Sequence, residues 1–182
     1  MEQLAADDIS VKDLIARLQT WAGDRMLVDK TPPYAFNPDI LQRLEAEFDD
    51  PLYIHLMRHP AGMIASFEEA RVDLAVDVHG DEAEDMTLTG RQKGEAWWLI
   101  SHQHILAFLH DIPAERQHLV KFEDLVTEPE ATVQQLSDFL GVPMHPDMLE
   151  PQKNKQQRMT DGTHELSRIC LLYTSPSPRD RG

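Results

Sequence analysis

Apolar positions recur along this chain in two rhythms, one helical and one continuous. Leu14, Ile15, Leu18 and Trp21 fall on one face of a helix that Ser10 can cap and Asp13 supports in a capping-box-like spacing; Gly23 and Asp24 end it. Arg25-Met26-Leu27-Val28 is a short unbroken run, which predicts a buried strand, and Pro32 and Pro33 force an irregular exit from it. Asn37 then opens a second helix with Pro38 at its first position and a stripe of Ile40, Leu41, Leu44 and Phe48, broken by Asp49-Asp50-Pro51. Leu52-Tyr53-Ile54-His55-Leu56-Met57 predicts a second buried strand, Arg58-His59-Pro60 a turn, and residues 61–70 a third helix. Residues 72–85 are acidic and poor in core side chains, which predicts a mobile loop that could act as a lid. A long helix is expected over residues 89–109 with Trp97, Trp98, Ile105 and Phe108, then a strand over residues 118–122. Thr127 is expected to cap a last helix with Pro129 just inside it, a stripe of Val133, Leu136, Phe139 and Leu140, and Gly141 as its end.

Strands alternating with helices at these distances predict an α/β fold with a mostly parallel sheet. The chain has 182 residues, enough for one domain, and is 41% hydrophobic, enough for a core. No apolar run reaches the length of a membrane span, so no membrane partner is expected. The single cysteine, Cys170, excludes an internal disulfide framework and suits a reducing, cytoplasmic compartment. A net charge of −15 argues against nucleic acid as a partner. It leaves room for a local anion site made by a helix N-terminus and one or two arginines. Residues 170–182, dense in proline, serine and arginine, break the pattern and resemble translated adaptor sequence; they are expected to be a non-native, disordered tail.

Ligands in open α/β sheets bind beyond the carboxyl ends of the strands. Arg58 stands at such an end, and Ser66 follows it by eight residues, inside the next helix. A guanidinium fork and a hydroxyl there can converge on a phosphate, or Arg58 can simply pair with a surface carboxylate. Asp29 and Lys30 sit at another strand end. Lys30 could offset charge on a transferring group and Asp29 could take a proton, or the two form a solvated pair in a proline turn. Trp97 and Trp98 could flank a ring or an acyl chain, or serve as core. The histidines lack a convincing metal-ligand spacing, so no metal is expected.

Leu27-Val28-Asp29-Lys30-Thr31-Pro32, Ile54-His55-Leu56-Met57-Arg58-His59-Pro60 with Ser66, Val120-Lys121-Phe122-Glu123-Asp124-Leu125 and Phe139-Leu140-Gly141-Val142-Pro143 occur in that order. Together they resemble the sulfotransferases that use 3′-phosphoadenosine-5′-phosphosulfate (PAPS), over residues 25–148. Ile100-Ser101-His102-Gln103-His104-Ile105 and Arg158-Met159-Thr160-Asp161-Gly162 resemble, more narrowly, the curacin-type and olefin-synthase domains of modular polyketide synthases. The resemblance implies a P-loop-NTPase-like three-layer sandwich. It also implies PAPS as co-substrate, and a hydroxyl acceptor that is a β-hydroxyacyl chain on a carrier protein. By the same resemblance Arg58 and Ser66 hold the nucleotide 3′-phosphate, and Arg158 closes on it, although Arg-Met-Thr stands where the family has Arg-Lys-Gly. Asp29 and Lys30 face the sulfuryl group and acceptor, and His102, with His164 close behind, is the candidate general base. His59 replaces a familiar aspartate and is expected to be structural, and His55 to be packed.

The family's glycine- and serine-rich phosphate loop has no counterpart before Val28. Residues 1–169 are therefore expected to be a partial domain lacking its first strand and phosphate loop, with an open sheet edge, little solubility and no activity alone. Other readings stay open at this stage. One is a sulfotransferase for a free small molecule or carbohydrate; another is a kinase-like enzyme, for which neither a phosphate loop nor a metal-binding acid is visible. A third is a non-catalytic helical interaction module.

Overall fold

The computed structural model describes residues 10–72 and 88–150. Expectations for residues 73–87, Arg158, His164 and the tail at 170–182 lie outside the described residues. Two compact units divide the chain, Met1–Pro51 and Leu52–Gly182.

The first unit contains α1 (Val11–Ala22), a 3₁₀ turn (Pro32–Phe36) and α2 (Pro38–Glu47). Ser10 caps α1: its hydroxyl accepts the Asp13 N–H at 3.1 Å and donates to the Asp13 carboxylate at 2.7 Å. Asn37 caps α2 by accepting the Asp39 N–H, with Pro38 in the first turn. Both boundaries follow from local chemistry, because each cap satisfies a backbone donor that the helix cannot. The strand expected at 25–28 does not form. Met26, Leu27 and Val28 are 47%, 39% and 74% exposed, and the sheet contains no strand from this segment. An apolar run becomes a strand only where a neighbour takes up its hydrogen bonds, and among the described residues this one has no ladder.

The second unit contains β1 (Tyr53–Met57), α3 (Pro60–Glu69), α4 (Gly90–Leu109), β2 (Gln117–Lys121), α5 (Phe122–Thr127) and α6 (Pro129–Leu140). β1 and β2 pair in parallel, with Tyr53 opposite Gln117 and Met57 opposite Lys121. The fold is thus mixed α/β with a small parallel sheet, as expected in its coarse form. Side chains of paired parallel residues point the same way. Tyr53 meets Phe108 edge-on at 4.9 Å, and the Gln117 amide donates to the carbonyls of Leu109 and Ile112, so α4 and its end cover one face. His118, of opposite parity, stacks on Phe139 at 5.0 Å, so α6 covers the other.

The core lies between α3 and α4 and under β2: Ile64, Phe67, Ala70, Leu109, Ile112 and Val120 are buried. A Cβ on Gly94 would come within 3.2 Å of the Phe67 ring, so the glycine is what lets α3 and α4 approach this closely. The expectation that β1 is buried throughout is corrected. Ile54 and Leu56 are 40% and 59% exposed, since α6 packs over β2, and within β1 only His55 is buried. Thr127 does not cap the last helix. Its hydroxyl donates to the Glu123 carbonyl inside the unforeseen helix α5, and Glu128 occupies the cap position of α6. Such back-bonding to the preceding turn is the alternative use of a threonine hydroxyl in a helix.

Candidate functional site

The carboxyl ends of β1 and β2 lie side by side, because the strands are parallel and in register at Met57 and Lys121. Arg58 is the first residue past β1, and Phe122 the first past β2. The Arg58 guanidinium lies over the Phe122 ring, 4.5 Å from its centroid, a cation–π contact that holds the cation at the sheet's edge. Its Nε passes so close to α3 that a Cβ on Gly62 would sit 3.3 Å away.

The next residue serves the helix. His59 is the N-cap of α3, and its ring Nδ1 accepts the Ala61 N–H at 3.2 Å, the job an aspartate or serine usually performs. The structural role expected for His59 is this one. Ser66 lies in the second turn of α3, half-buried, in the same strand–turn–helix unit as Arg58. The start of α3, with Pro60 in its first turn, opens at the carboxyl edge and carries the partial positive charge of a helix N-terminus.

Two more side chains reach this turn. Trp98, on α4, donates its indole N–H to the Arg58 carbonyl at 2.9 Å. Glu123, on α5, accepts the His59 backbone N–H at 2.9 Å. That bond holds the Glu123 carboxyl below the usual carboxylate range, helped by the residue's own N–H and by the charges of His59 and Arg58. Sequence reasoning weighed Trp98 only as core or ring platform, and Glu123 only as a motif letter.

Asp29 and Lys30 belong to the first unit and are exposed. Asp29 accepts a 2.6 Å hydrogen bond from the Thr31 hydroxyl, which orients the carboxylate within the proline turn. His102, on α4, is half-buried: its Nδ1 lies 2.9 Å from Nε2 of His55, and its ring meets the edge of Trp98 at 4.5 Å. His55 is buried, as expected of a packed strand histidine. Burial first, and the neighbouring His102 second, pull the His55 pKa down to about 4; burial also lowers that of His102. Both rings are therefore largely neutral near pH 7, and one must donate while the other accepts. With Nδ1 so engaged, His102 has only Nε2 with which to take a proton without breaking the pair. No group of three or more His, Cys, Asp or Glu side chains among the described residues is placed to hold a metal, and no described helix is long and apolar enough to cross a membrane.

The family profile described as "Sulfotransferase family" matches residues 2–146. The chain belongs to the sulfotransferase family. Among solved structures, the chain is similar to the sulfotransferase domain from the curacin biosynthetic pathway, with 37% identity and a TM-score of 0.75 over 88% of this chain and 54% of that one. It is also similar to the sulfotransferase domain from the Synechococcus PCC 7002 olefin synthase, with 28% identity and a TM-score of 0.74 over 97% of this chain and 61% of that one. The curacin and olefin-synthase types expected from the sequence are thus both found. No curated protein sequence matches significantly. The chain spans just over half the length of the two solved domains.

Proposed function

We propose that this chain carries the nucleotide-gripping edge of a cytoplasmic PAPS-dependent sulfotransferase with a P-loop-like layered fold. The observation that supports it most is Arg58, held over Phe122 at the carboxyl edge of two parallel strands, beside the opening turn of α3. A guanidinium fork, the partial positive charge at the start of α3 and the Ser66 hydroxyl are a set suited to a dianionic 3′-phosphate. Arg158 is proposed as a further donor to the same phosphate.

In the reaction, the acceptor hydroxyl oxygen attacks sulfur as the bond from sulfur to the 5′-phosphate oxygen breaks. The electron pair leaves on that bridging oxygen, giving a sulfate ester and adenosine 3′,5′-bisphosphate. Lys30 is the cation proposed to offset the charge on the leaving oxygen, as in phosphoryl transfer. The acceptor's proton goes to a neutral imidazole, for which His102 Nε2 is the candidate, with Asp29 the carboxylate alternative. No step in this scheme calls for a metal. The proposed acceptor is a β-hydroxyacyl chain on a carrier protein, a reading supported by similarity to the curacin-pathway and olefin-synthase domains.

Labelled PAPS titrated against ATP tests the reading. PAPS should bind in preference, and Arg58→Ala should weaken it by about 10- to 100-fold, the loss of a charge-assisted contact. Equal binding of the two nucleotides, or an Arg58→Ala variant that binds PAPS normally, would refute it. Transfer to a free alcohol but not to a carrier-bound hydroxyacyl chain would move the acceptor to small molecules.

A further inference from the structure

The peptide group joining Arg58 to His59 lies just beyond the end of the β1–β2 ladder, so the sheet supplies partners for neither its C=O nor its N–H. Both are nevertheless taken, and by side chains from two different elements. The C=O accepts from Trp98 Nε1 of α4, and the N–H donates to Glu123 Oε1 of α5, each at 2.9 Å. A peptide plane fixed at both polar ends cannot rotate, which sets ψ of Arg58 and φ of His59. It thereby sets the direction in which the arginine side chain leaves the backbone. α3 and α5 also line that side chain: a Cβ on Gly62 of α3 would sit 3.3 Å from its Nε. Phe122, beside Glu123, carries the guanidinium, and α4 is also bonded to β1 itself through His102 and His55.

We infer that Trp98 and Glu123 are positioning residues, a two-sided clamp on the Arg58–His59 peptide that aims the Arg58 guanidinium at the nucleotide phosphate. This rests on the phosphate-binding reading of Arg58. Neither clamp residue needs to touch the nucleotide. Each restricts Arg58 before the ligand arrives, so less freedom is lost on binding.

The test compares adenosine 3′,5′-bisphosphate with adenosine 5′-monophosphate, two ligands that differ in the 3′-phosphate. Their affinities for the 182-residue chain and its variants are measured by calorimetry or NMR titration. Amide hydrogen exchange at His59 gives a readout that needs no ligand. Trp98→Phe keeps the ring and removes the donor, and Glu123→Ala removes the acceptor. Each should cost about tenfold in bisphosphate affinity while leaving the monophosphate nearly unchanged, the scale expected of a small misplacement of a binding group. Glu123→Gln, whose amide oxygen can still accept, should recover most of the loss. The His59 amide should exchange slowly in the parent chain and faster in Glu123→Ala. A merely structural role would lower thermal stability and leave the ratio of the two affinities alone. If Arg58→Ala collapses that ratio while Trp98→Phe and Glu123→Ala preserve it, the clamp is wrong and the phosphate reading stands. If Arg58→Ala also preserves it, the phosphate reading fails and the clamp with it. A rapidly exchanging His59 amide in the parent chain would overturn the clamp on its own.

Discussion

Two turns of this chain read almost alike in sequence. Met26, Leu27 and Val28 lead into Asp29, Lys30 and a pair of prolines; Tyr53 to Met57 lead into Arg58, His59 and a proline. Only the second run is a strand. Its backbone pairs with β2, and the turn after it is held by Trp98, Glu123 and Phe122. The first turn is shaped from within, by Thr31 bonding Asp29 and by the 3₁₀ turn at Pro32–Phe36. Apolar content proposes a strand, and a hydrogen-bonding neighbour decides it. A charged residue after such a run becomes a fixed feature only when distant parts of the chain close on it.

This contrast can be broken in several ways. The largest effect is expected from Phe67→Ala, which empties the contact between α3 and α4 beside Gly94 and Trp97. A loss of about 3–4 kcal/mol by denaturant unfolding is expected, because the site is buried. A loss below about 1 kcal/mol would mean that α4 is not anchored to α3 as described.

Next comes pH. The folded pKa of His55 lies near 4, below its ordinary value of 6.5, so between these values the unfolded chain binds more protons. The stability due to this group is complete above about pH 6.5 and is lost as pH falls toward 4, by about 2 kcal/mol once solvent screening is allowed for. His55→Gln should flatten that part of the profile, and an unchanged slope would refute the buried pair.

The smallest effects make the sharpest comparison. Val120 of β2 is 4% exposed and Val28 is 74% exposed. Val120→Thr should cost about 1–3 kcal/mol for burying a hydroxyl. Val28→Thr should change stability by less than about 0.5 kcal/mol. Equal costs at the two positions would mean that residues 26–28 are packed after all.

Several features were legible because their causes are local. Ser10, Asn37 with Pro38, and Gly141 each act within a turn of the helix they begin or end, and the structure keeps all of them. The packed state of His55 could also be read from its place along the strand, and the structural use of His59 from the family resemblance. What could not be read depends on long closures. Trp98 reaches Arg58 from 40 residues away, and Glu123 reaches His59 from 64. Each looks locally like an ordinary core or surface residue, and the helix containing Glu123 is too short to announce itself by periodicity. The strand wrongly expected at 25–28 failed for the same reason in reverse, since its sequence carries no information about whether a neighbour exists.

The parallel pairing of β1 with β2 also governs how the molecule comes together. A parallel pair cannot be closed by a tight turn, and here both α3 and α4 lie between its members. The helices can therefore form early from nearby residues, while the ladder waits for a long stretch of chain to close. During that delay the apolar strands have open edges available to strands of other copies. Dilution and low temperature during renaturation favour the correct partner, because crowding of half-folded chains is the competing event.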